Sequence, residues 1–480
     1  MDKERIFSFL LFYLIKKWCI IIKIKGGIMH KKCSEIAKML GIEWDNTQED
    51  RIVSGVCFDS RKVKENNLFV PLIGEKVNGH IFGQQVADAG ASCILWNEDE
   101  KDVPTGITVL KVRNTSTAFK ELARAYRDLC GFKIVGITGS NGKTSTKDLV
   151  AGVLSAKYKV AKTAGNYNSE VGVNYTILNF DEDVEVGVVE LGMERLHEIE
   201  QLCEIARPDI GVITNVGIAH LENLGSQENI AKAKCEIIDS LSRDGVFIYN
   251  GDDPYLTNEI NNHYLPKNTF SYGESKTNLC HLTAFSQNEK GIAFSTNLIN
   301  GIVTPLLGKH QAYNGMAAIL VARNLGLSDE EITRGFTLVE ATKWRTQLEA
   351  YGKCKVLNDV YKSNPESALA ALDTFQELKC DEKIVVFGDM FDLGENTRQI
   401  HYDLGQKVAN YDCNELLCIG ELSQEICKGA SDAGVNAKWI PTYEELVDIL
   451  KGYKEKPCMI LIKGSRGMHL DKVLDELRGN

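Results

Sequence analysis

From residue 132 onward, short runs rich in Val and Ile alternate with segments of helix length whose apolar residues recur every three to four positions. That alternation predicts βα units around a parallel sheet. In the middle third the expected strands are FKIVGIT (132–138), VEVGVVEL (184–191), DIGVITNV (209–216) and DGVFIYN (244–250). The expected helices between them are TSTKDLVAGVLSAKY, MERLHEIEQLCEIA and SQENIAKAKCEIIDSL. A second series runs to the C-terminus: KCKVLND (353–359), EKIVVFGD (382–389), ELLCIG (415–420), AKWI (437–440) and PCMILIKGS (457–465), separated by helical stretches such as PESALAALDTF. The stretch from 29 to 127 is less regular, with LFVPL and SCILW as strands and HIFGQQVADAGA as a helix. The fold class expected is therefore α/β in three domains: a mixed α/β unit at 29–127, a central parallel-sheet unit of mononucleotide-binding type at 128–341, and a Rossmann-like unit at 342–480.

Bulk composition agrees with that division. With 480 residues, 44% hydrophobic and 25% charged, the chain is globular and holds three domains at about 150 residues each. Its net charge of 55 − 66 = −11 comes without a long basic block in the folded part, so nucleic acid is not an expected partner. The 14 cysteines contain no C-x-x-C pair, which points to reduced thiols and a cytoplasmic location rather than to disulfides or zinc. The apolar run FSFLLFYLIKKWCIIIKI is broken by Lys16 and Lys17 and lacks a cleavage site, so no stable membrane insertion is expected. KGG at 25–27 reads as a translated ribosome-binding sequence just upstream of Met29. Residues 1–28 are accordingly expected to be a non-native extension, and the protein to be a monomer.

The sharpest local signal is GITGSNGKTSTK, 136–147. The spacing G-x-x-x-x-G-K-[ST] fails, because it wants glycine where Ile137 stands. Yet a strand, Gly139, Gly142 and Lys143, and a helix opening at Thr144 supply in order what a phosphate cradle needs: converging backbone N–H groups, a cation and a helix start. A Gly-rich turn without a ligand is the plainer alternative. Thr144 has its hydroxyl placed for Mg²⁺. Glu190 and His220, at the ends of neighbouring strands, are candidates for a second metal, against the plainer readings of a rim carboxylate and a loop histidine. Asp359, at the end of KVLND, is placed to take ribose hydroxyls.

The loop T-G-[ST]-N-G-K-T resembles that of the Mur ligase family of peptidoglycan synthesis. So do DSRKVKENNLFVPLIGEKVNGHIF (59–82), TAGNYNSEVG (163–172), ELGM (190–193), ITNVGIAHLENLGSQENIAKAKCEI (213–237), GDMFDLGE (388–395) and IKGSRGM (462–468). The last two blocks resemble those of the member that adds D-alanyl-D-alanine to UDP-N-acetylmuramoyl-tripeptide. The resemblance implies an ADP-forming amide ligase that works through an acyl phosphate, with ATP and two Mg²⁺ as cofactors and these two small molecules as substrates. It also implies a UDP-sugar-binding N-terminal domain, a central ATPase domain and a C-terminal domain for the incoming amine. Catalytic roles fall on Lys143, Glu190, His220 and Lys234, the last as a carbamate that helps hold the second metal; without the family, Lys234 is not distinguishable from Lys232. ATP would be bound by Gly139, Ser140, Asn141, Gly142, Lys143, Thr144 and Ser145, with Asn314 on the adenine side and Arg345 on the phosphate side. Ser60 and Arg61 would meet the uridine diphosphate, and Asn166, Asn168 and Glu170 the sugar and peptide. Asn364 and Arg466 complete the substrate set, Arg466 on the carboxylate of the dipeptide.

The chain departs from the family pattern in GMERLHEI, with His197 at a glycine position, in KSNP, with Lys362 where N-A-N-P is usual, and in GVNYTIL. Two other readings follow: a paralogue that joins a different amine, as the related folylpolyglutamate synthase does, or a nucleotide-binding scaffold without catalysis. DSR and LFVPL favour a UDP-sugar over a folate. The intact set Lys143, Glu190, His220 and Lys234 speaks against a scaffold.

Overall fold

A computed structural model describes residues 29–479; the expected N-terminal extension lies outside them. Its first part holds an antiparallel pair, His30–Lys32 with Ile52–Ser54, and a four-stranded parallel sheet in the order Val56–Cys57, Leu68–Phe69, Cys93–Asn97, Thr108–Val112. LFVPL and SCILW supply two of these strands. The expected single helix from His80 splits into a 3₁₀ turn, Gly79–Phe82, and a short α-helix, Gly83–Asp88. An amphipathic helix, Thr115–Cys130, then leads to the central sheet; Asn114 caps its start by accepting from Thr117 N at 2.9 Å, and Gly131 ends it at φ 67°.

The central sheet has nine strands. Six lie parallel in the spatial order Asn268–Gly273, Val246–Asn250, Ile210–Ile213, Lys133–Thr138, Val186–Glu190, Val160–Lys162, and Cys280–Asn288 joins them in parallel at Asn268–Gly273. Gly291–Thr296 and Ile302–Thr304 extend that edge as an antiparallel meander, which the βα pattern does not announce. Strand Lys133–Thr138 is buried from Ile134 on, as a strand covered on both faces must be. Its connections and those of Ile210–Ile213 leave in opposite directions, so the carboxyl ends of these two strands open a crevice, the place where ligands sit in such sheets.

The last sheet orders Gln347–Tyr351, Cys354–Asp359, Met459–Lys463, Lys383–Gly388, Glu415–Ile419, Ala437–Ile440. Five strands are parallel, as the alternation predicts, and the first is an antiparallel edge paired with Cys354–Asp359. Among the described residues 13 cysteines are free, most of them buried, and no helix is long and apolar enough to cross a membrane.

One expected helix is shorter than its apolar pattern. MERLHEIEQLCEIA is helical only over Glu198–Ala206, because His197 has φ 70° and stops the helix from extending backward. The imidazole lies on the surface beside Glu200 at 3.0 Å, while the backbone N–H donates to Glu236 Oε1 at 2.7 Å. The left-handed backbone accounts for a glycine at this position elsewhere, and the histidine lines neither of the cavities described below.

Candidate active site

The phosphate loop is shaped by two glycines that no other residue could replace unstrained. Gly139 has φ 144°, and a Cβ there would lie 1.8 Å from Thr214 Oγ1; Gly142 has φ 82°, and its Cβ would lie 2.8 Å from Asn314 Oδ1. Ile137, the misfit to the ATPase spacing, is buried in the strand and pairs in register with Glu190. The helix Lys143–Leu154 starts directly after Gly142 with no side chain capping it, so its first N–H groups remain available to an anion. The neighbouring strand's exit braces the loop: Asn141 N donates to Asn215 Oδ1 at 2.9 Å, and Thr214 Oγ1 donates to Asn141 O at 2.6 Å.

Charge on this frame is unbalanced. Lys143 bends back over its own loop, donating to Gly139 O at 2.5 Å and Ser140 O at 3.3 Å; burial, and next the charge of Lys362, push its amine down to about 8. Glu190, 3% exposed, accepts from Thr144 Oγ1 at 2.8 Å and from Asn168 Nδ2 at 2.8 Å, and its own N–H donates to Thr163 Oγ1 at 3.0 Å. Arg345 donates to Thr144 Oγ1 at 2.9 Å and stacks on Tyr361 at 4.3 Å, while its Nε is buried without a partner. Trp344 and Thr346, on either side of it, have φ 66° and 50°, so this linker is strained. Two anchors hold it: Thr342, whose N and Oγ1 donate to the buried Asp148 at 2.8 and 2.7 Å, and Thr346 N, which donates to Asp359 at 3.1 Å.

Behind the loop lie His220 and Lys234. Burial, followed by the charges of Lys362, Lys143 and Lys234, holds the His220 imidazole down at about 4, so it is neutral at neutral pH and free to act as a ligand. Lys234, 1% exposed on the helix Gln227–Asp239, has its amine pushed well down by burial and then by Lys143 and Lys362. Lys232 is exposed on the same helix, which separates the two lysines that the sequence alone does not.

A cavity of about 600 Å³ opens between the central and last sheets. It gathers Ser140, Asn141, Gly142, Lys143, Thr144, Ser145, Asn166, Asn168, Glu190, Asn314, Arg345 and Asp359 from the expected set. Other expected residues stand elsewhere. Asn364 caps the helix Pro365–Gln376 and donates to Asn141 Oδ1 at 2.9 Å, acting as a latch between sheets. Arg466 stacks on Trp344 at 4.4 Å and pairs with Asp471 at 3.0 Å. Glu170, exposed at the start of its helix, lines neither cavity. Ser60 and Arg61 sit on a 3₁₀ turn, where Arg61 donates to Asp59 at 2.9 and 3.0 Å.

That turn borders a second cavity, of about 670 Å³, between the N-terminal part and the central sheet. Asp59 and Lys62 line it, together with an edge-packed aromatic group in which Phe58 lies 6.1 Å from Tyr167 and 5.4 Å from Tyr175.

The sequence reading misses Lys463, which is buried and donates to Asp359 Oδ2 at 2.6 Å and to Lys362 O at 2.8 Å. A lysine ending the buried run MILIK is a signal that could have found it. Asp148, inside a helix, carries no such signal.

Known proteins give this geometry a family. The chain matches the models of the Mur ligase family, catalytic domain over 52–127, the Mur ligase middle domain over 137–322, and the Mur ligase, glutamate ligase domain over 344–466. It is 36% identical to the UDP-N-acetylmuramoyl-tripeptide--D-alanyl-D-alanine ligase of Bacillus subtilis, over 94% of this chain and 99% of that protein. The chain belongs to the Mur ligase family. The Escherichia coli ligase of the same name is 30% identical over 90% and 95% of the two chains. Among solved structures, MurF from Acinetobacter baumannii superposes with TM-score 0.84 at 25% identity, covering 94% of this chain and 100% of that one. MurF ligase from Thermotoga maritima in complex with ADP gives 0.77 at 25%, over 88% and 97%. Folylpolyglutamate synthase from Mycobacterium tuberculosis, at 18% identity and TM-score 0.58, shares the fold alone. In this family the chain is an ATP-dependent, ADP-forming ligase.

Proposed function

We propose that the protein joins D-alanyl-D-alanine to the terminal carboxylate of UDP-N-acetylmuramoyl-tripeptide, with ATP cleaved to ADP and phosphate, as a cytoplasmic monomer. One observation carries this reading: ligases of that name align with nearly the whole chain, so the likeness extends beyond the ATP-binding fold to the acceptor and amine sides. Residues 29–127, 128–341 and 342–480 would then serve the acceptor, ATP and the amine in turn.

The donor set suits magnesium. Thr144 Oγ1 and a Glu190 oxygen stand 2.8 Å apart beside Lys143, hard oxygens next to a cation that phosphate would draw out. Thr144 would hold one ion, and Glu190, neutral His220 and Lys234 as a carbamate would hold the second. Bound there, magnesium would neutralise charge on the phosphoryl oxygens. Lys234 fits its part because only a deprotonated amine attacks carbon dioxide, forming the N–C bond and releasing a proton; burial and two nearby cations favour that form.

In the reaction, Lys143 exchanges the carbonyls of Gly139 and Ser140 for β- and γ-phosphate oxygens. The acceptor carboxylate takes the γ-phosphoryl group as the bond to the bridging oxygen breaks, and ADP leaves with that electron pair. The dipeptide amine then attacks the acyl carbon; phosphate leaves, and the nitrogen loses its proton. Arg345 steadies Thr144, and Asn168 orients Glu190. Asp359 keeps capacity for ribose hydroxyls, since a carboxylate accepts about four bonds and Lys463 and Thr346 take two. Asn314 closes the adenine side. The acceptor would run from the 670 Å³ cavity, with Ser60 and Arg61 at its rim, past Asn166 and Asn168. Arg466 and the loop around Asn364 would receive the dipeptide.

The test is phosphate release with ATP, the UDP-sugar tripeptide and a panel of amines. Turnover with D-alanyl-D-alanine is expected; turnover only with another amine would move the assignment to a paralogue of different amine specificity.

A further inference from the structure

We propose that Lys362 is a further catalytic residue: carried by the C-terminal sheet onto the phosphate loop, its ammonium binds the γ-phosphoryl oxygens of ATP while they pass to the acceptor carboxylate. The proposal rests on the ligase reading above, and it concerns the position where this chain reads KSNP.

The placement follows from the backbone. Lys362 stands three residues beyond the strand Cys354–Asp359 and three before the helix Pro365–Gln376. Three contacts pin that short loop: Lys463 Nζ donates to Lys362 O at 2.8 Å, Asn364 Nδ2 donates to Asn141 Oδ1 at 2.9 Å, and Ile218 N donates to Glu366 Oε1 at 3.1 Å. Two of them cross from the C-terminal sheet to the phosphate loop and to the exit of the neighbouring strand. Lys362 is thereby held over the crevice and lines the same cavity as Lys143 and Glu190.

Its charge has no protein partner there. Among the described residues no carboxylate forms an ion pair with Lys362; Asp359 is taken by Lys463, Glu190 by Thr144 and Asn168, and Glu366 accepts from the Ile218 N–H through Oε1 while its Oε2 is buried without a partner. Lys362 is exposed, and after burial its charge is the largest influence that lowers the protonation of both Lys143 and His220, in keeping with its place on the same cavity wall. Lys143, Arg345 and Lys362 thus line one cavity with Glu190. Like charges held together in a partly closed site repel, and a polyanion entering between them removes that cost.

The triphosphate is the anion that fits. Lys143 approaches from the loop side and Lys362 from the C-terminal sheet, so the transferring group passes between two cations. In that step the acceptor carboxylate oxygen forms the new bond to γ-phosphorus as the bond to the bridging oxygen breaks. The charge that accumulates on the bridging and equatorial oxygens is what an added cation stabilises.

Two measurements on the full chain decide it. In steady-state turnover, Lys362→Ala and Lys362→Gln should lower kcat by ~10²-fold, the lower end of the scale of one oxyanion-stabilising donor. KM for D-alanyl-D-alanine should move little, KM for ATP should rise as the γ-phosphate contact is lost, and Lys362→Arg should recover most of both effects. In equilibrium binding, the same two neutral variants should lose affinity for β,γ-methylene-ATP while keeping that for ADP. An unchanged kcat, a loss carried only by KM for the dipeptide, or equal weakening toward ADP and the analogue would each overturn the proposal; the second would assign Lys362 to the dipeptide carboxylate. Should the unaltered protein not turn over the UDP-sugar tripeptide, the ligase reading fails, and the binding comparison still decides Lys362.

Discussion

The central and C-terminal sheets are built alike, yet they treat charge at their strand ends in opposite ways. At the central sheet Lys143 turns to backbone carbonyls, Arg345 keeps a buried Nε without a partner, and Glu190 is the carboxylate among them. At the C-terminal sheet Lys463 is matched with Asp359 and Arg466 with Asp471, and the exception is Lys362, on the loop that reaches the central site. Unmatched charge costs stability, and a fold retains it where a ligand completes the site. Matched charge fixes geometry. The central sheet is therefore the place of chemistry, and the C-terminal sheet a rigid carrier that brings Arg345, Tyr361 and the KSNP loop to it.

The strongest test of that contrast is on the unmatched side. Lys143→Ala should reduce ATP-dependent phosphate release by ~10²–10³-fold or more, the loss seen when one preorganised stabilising group is removed. Folding should be spared, because the lysine's bonds are to carbonyls of its own loop, and thermal unfolding would check this. Phosphate release near the unaltered rate would mean that the charge imbalance has another purpose.

On the matched side the main loss should be structural. Asp359→Asn leaves Lys463, 1% exposed, as a buried charge with only the Lys362 carbonyl. Breaking a buried pair by removing one partner costs ~3–5 kcal/mol; some of that is recovered here through the asparagine oxygen. A lowered unfolding midpoint and a several-fold raised KM for ATP are expected, the latter because Thr346, and with it Arg345, loses its anchor. Unaltered stability with a collapsed kcat would reverse the roles assigned to the two sheets.

How much of this can be read from the chain follows the same division. The phosphate loop is legible because it is local: strand, glycines, lysine and helix start fall within residues 133–154, and φ values of 144° and 82° require the glycines. Glu190 is legible as a strand-end residue, whereas His220 stands beyond the strand Ile210–Ile213, at the start of the short helix Leu221–Leu224. Lys463 and Asp359 pair across 104 positions, and Asp148 meets Thr342 across 194, so no window of sequence contains them. The antiparallel edge, Gly291–Thr296 and Ile302–Thr304, lies outside the βα rhythm that organises the rest. Arg466 shows how a local pattern and its tertiary setting can differ. A strand end followed by KGSRGM looks locally like an anion trap, whereas the guanidinium is occupied by Trp344 and Asp471.

That residue supplies the smallest and most discriminating effect. Arg466 is partly exposed, its ion pair is worth no more than about 1 kcal/mol, and its stacking on Trp344 adds ~0.5–1 kcal/mol. Arg466→Ala should therefore shift the unfolding midpoint only slightly. If the arginine leaves Asp471 to take the dipeptide carboxylate, KM for D-alanyl-D-alanine should rise about tenfold, the value of one charged hydrogen bond, with kcat and KM for ATP nearly unchanged. Asp471→Asn should then act in the opposite direction, freeing the guanidinium and lowering that KM. A dipeptide KM that ignores both substitutions would mean that Arg466 is matched for good, and that the C-terminal sheet contributes to amine binding through another group.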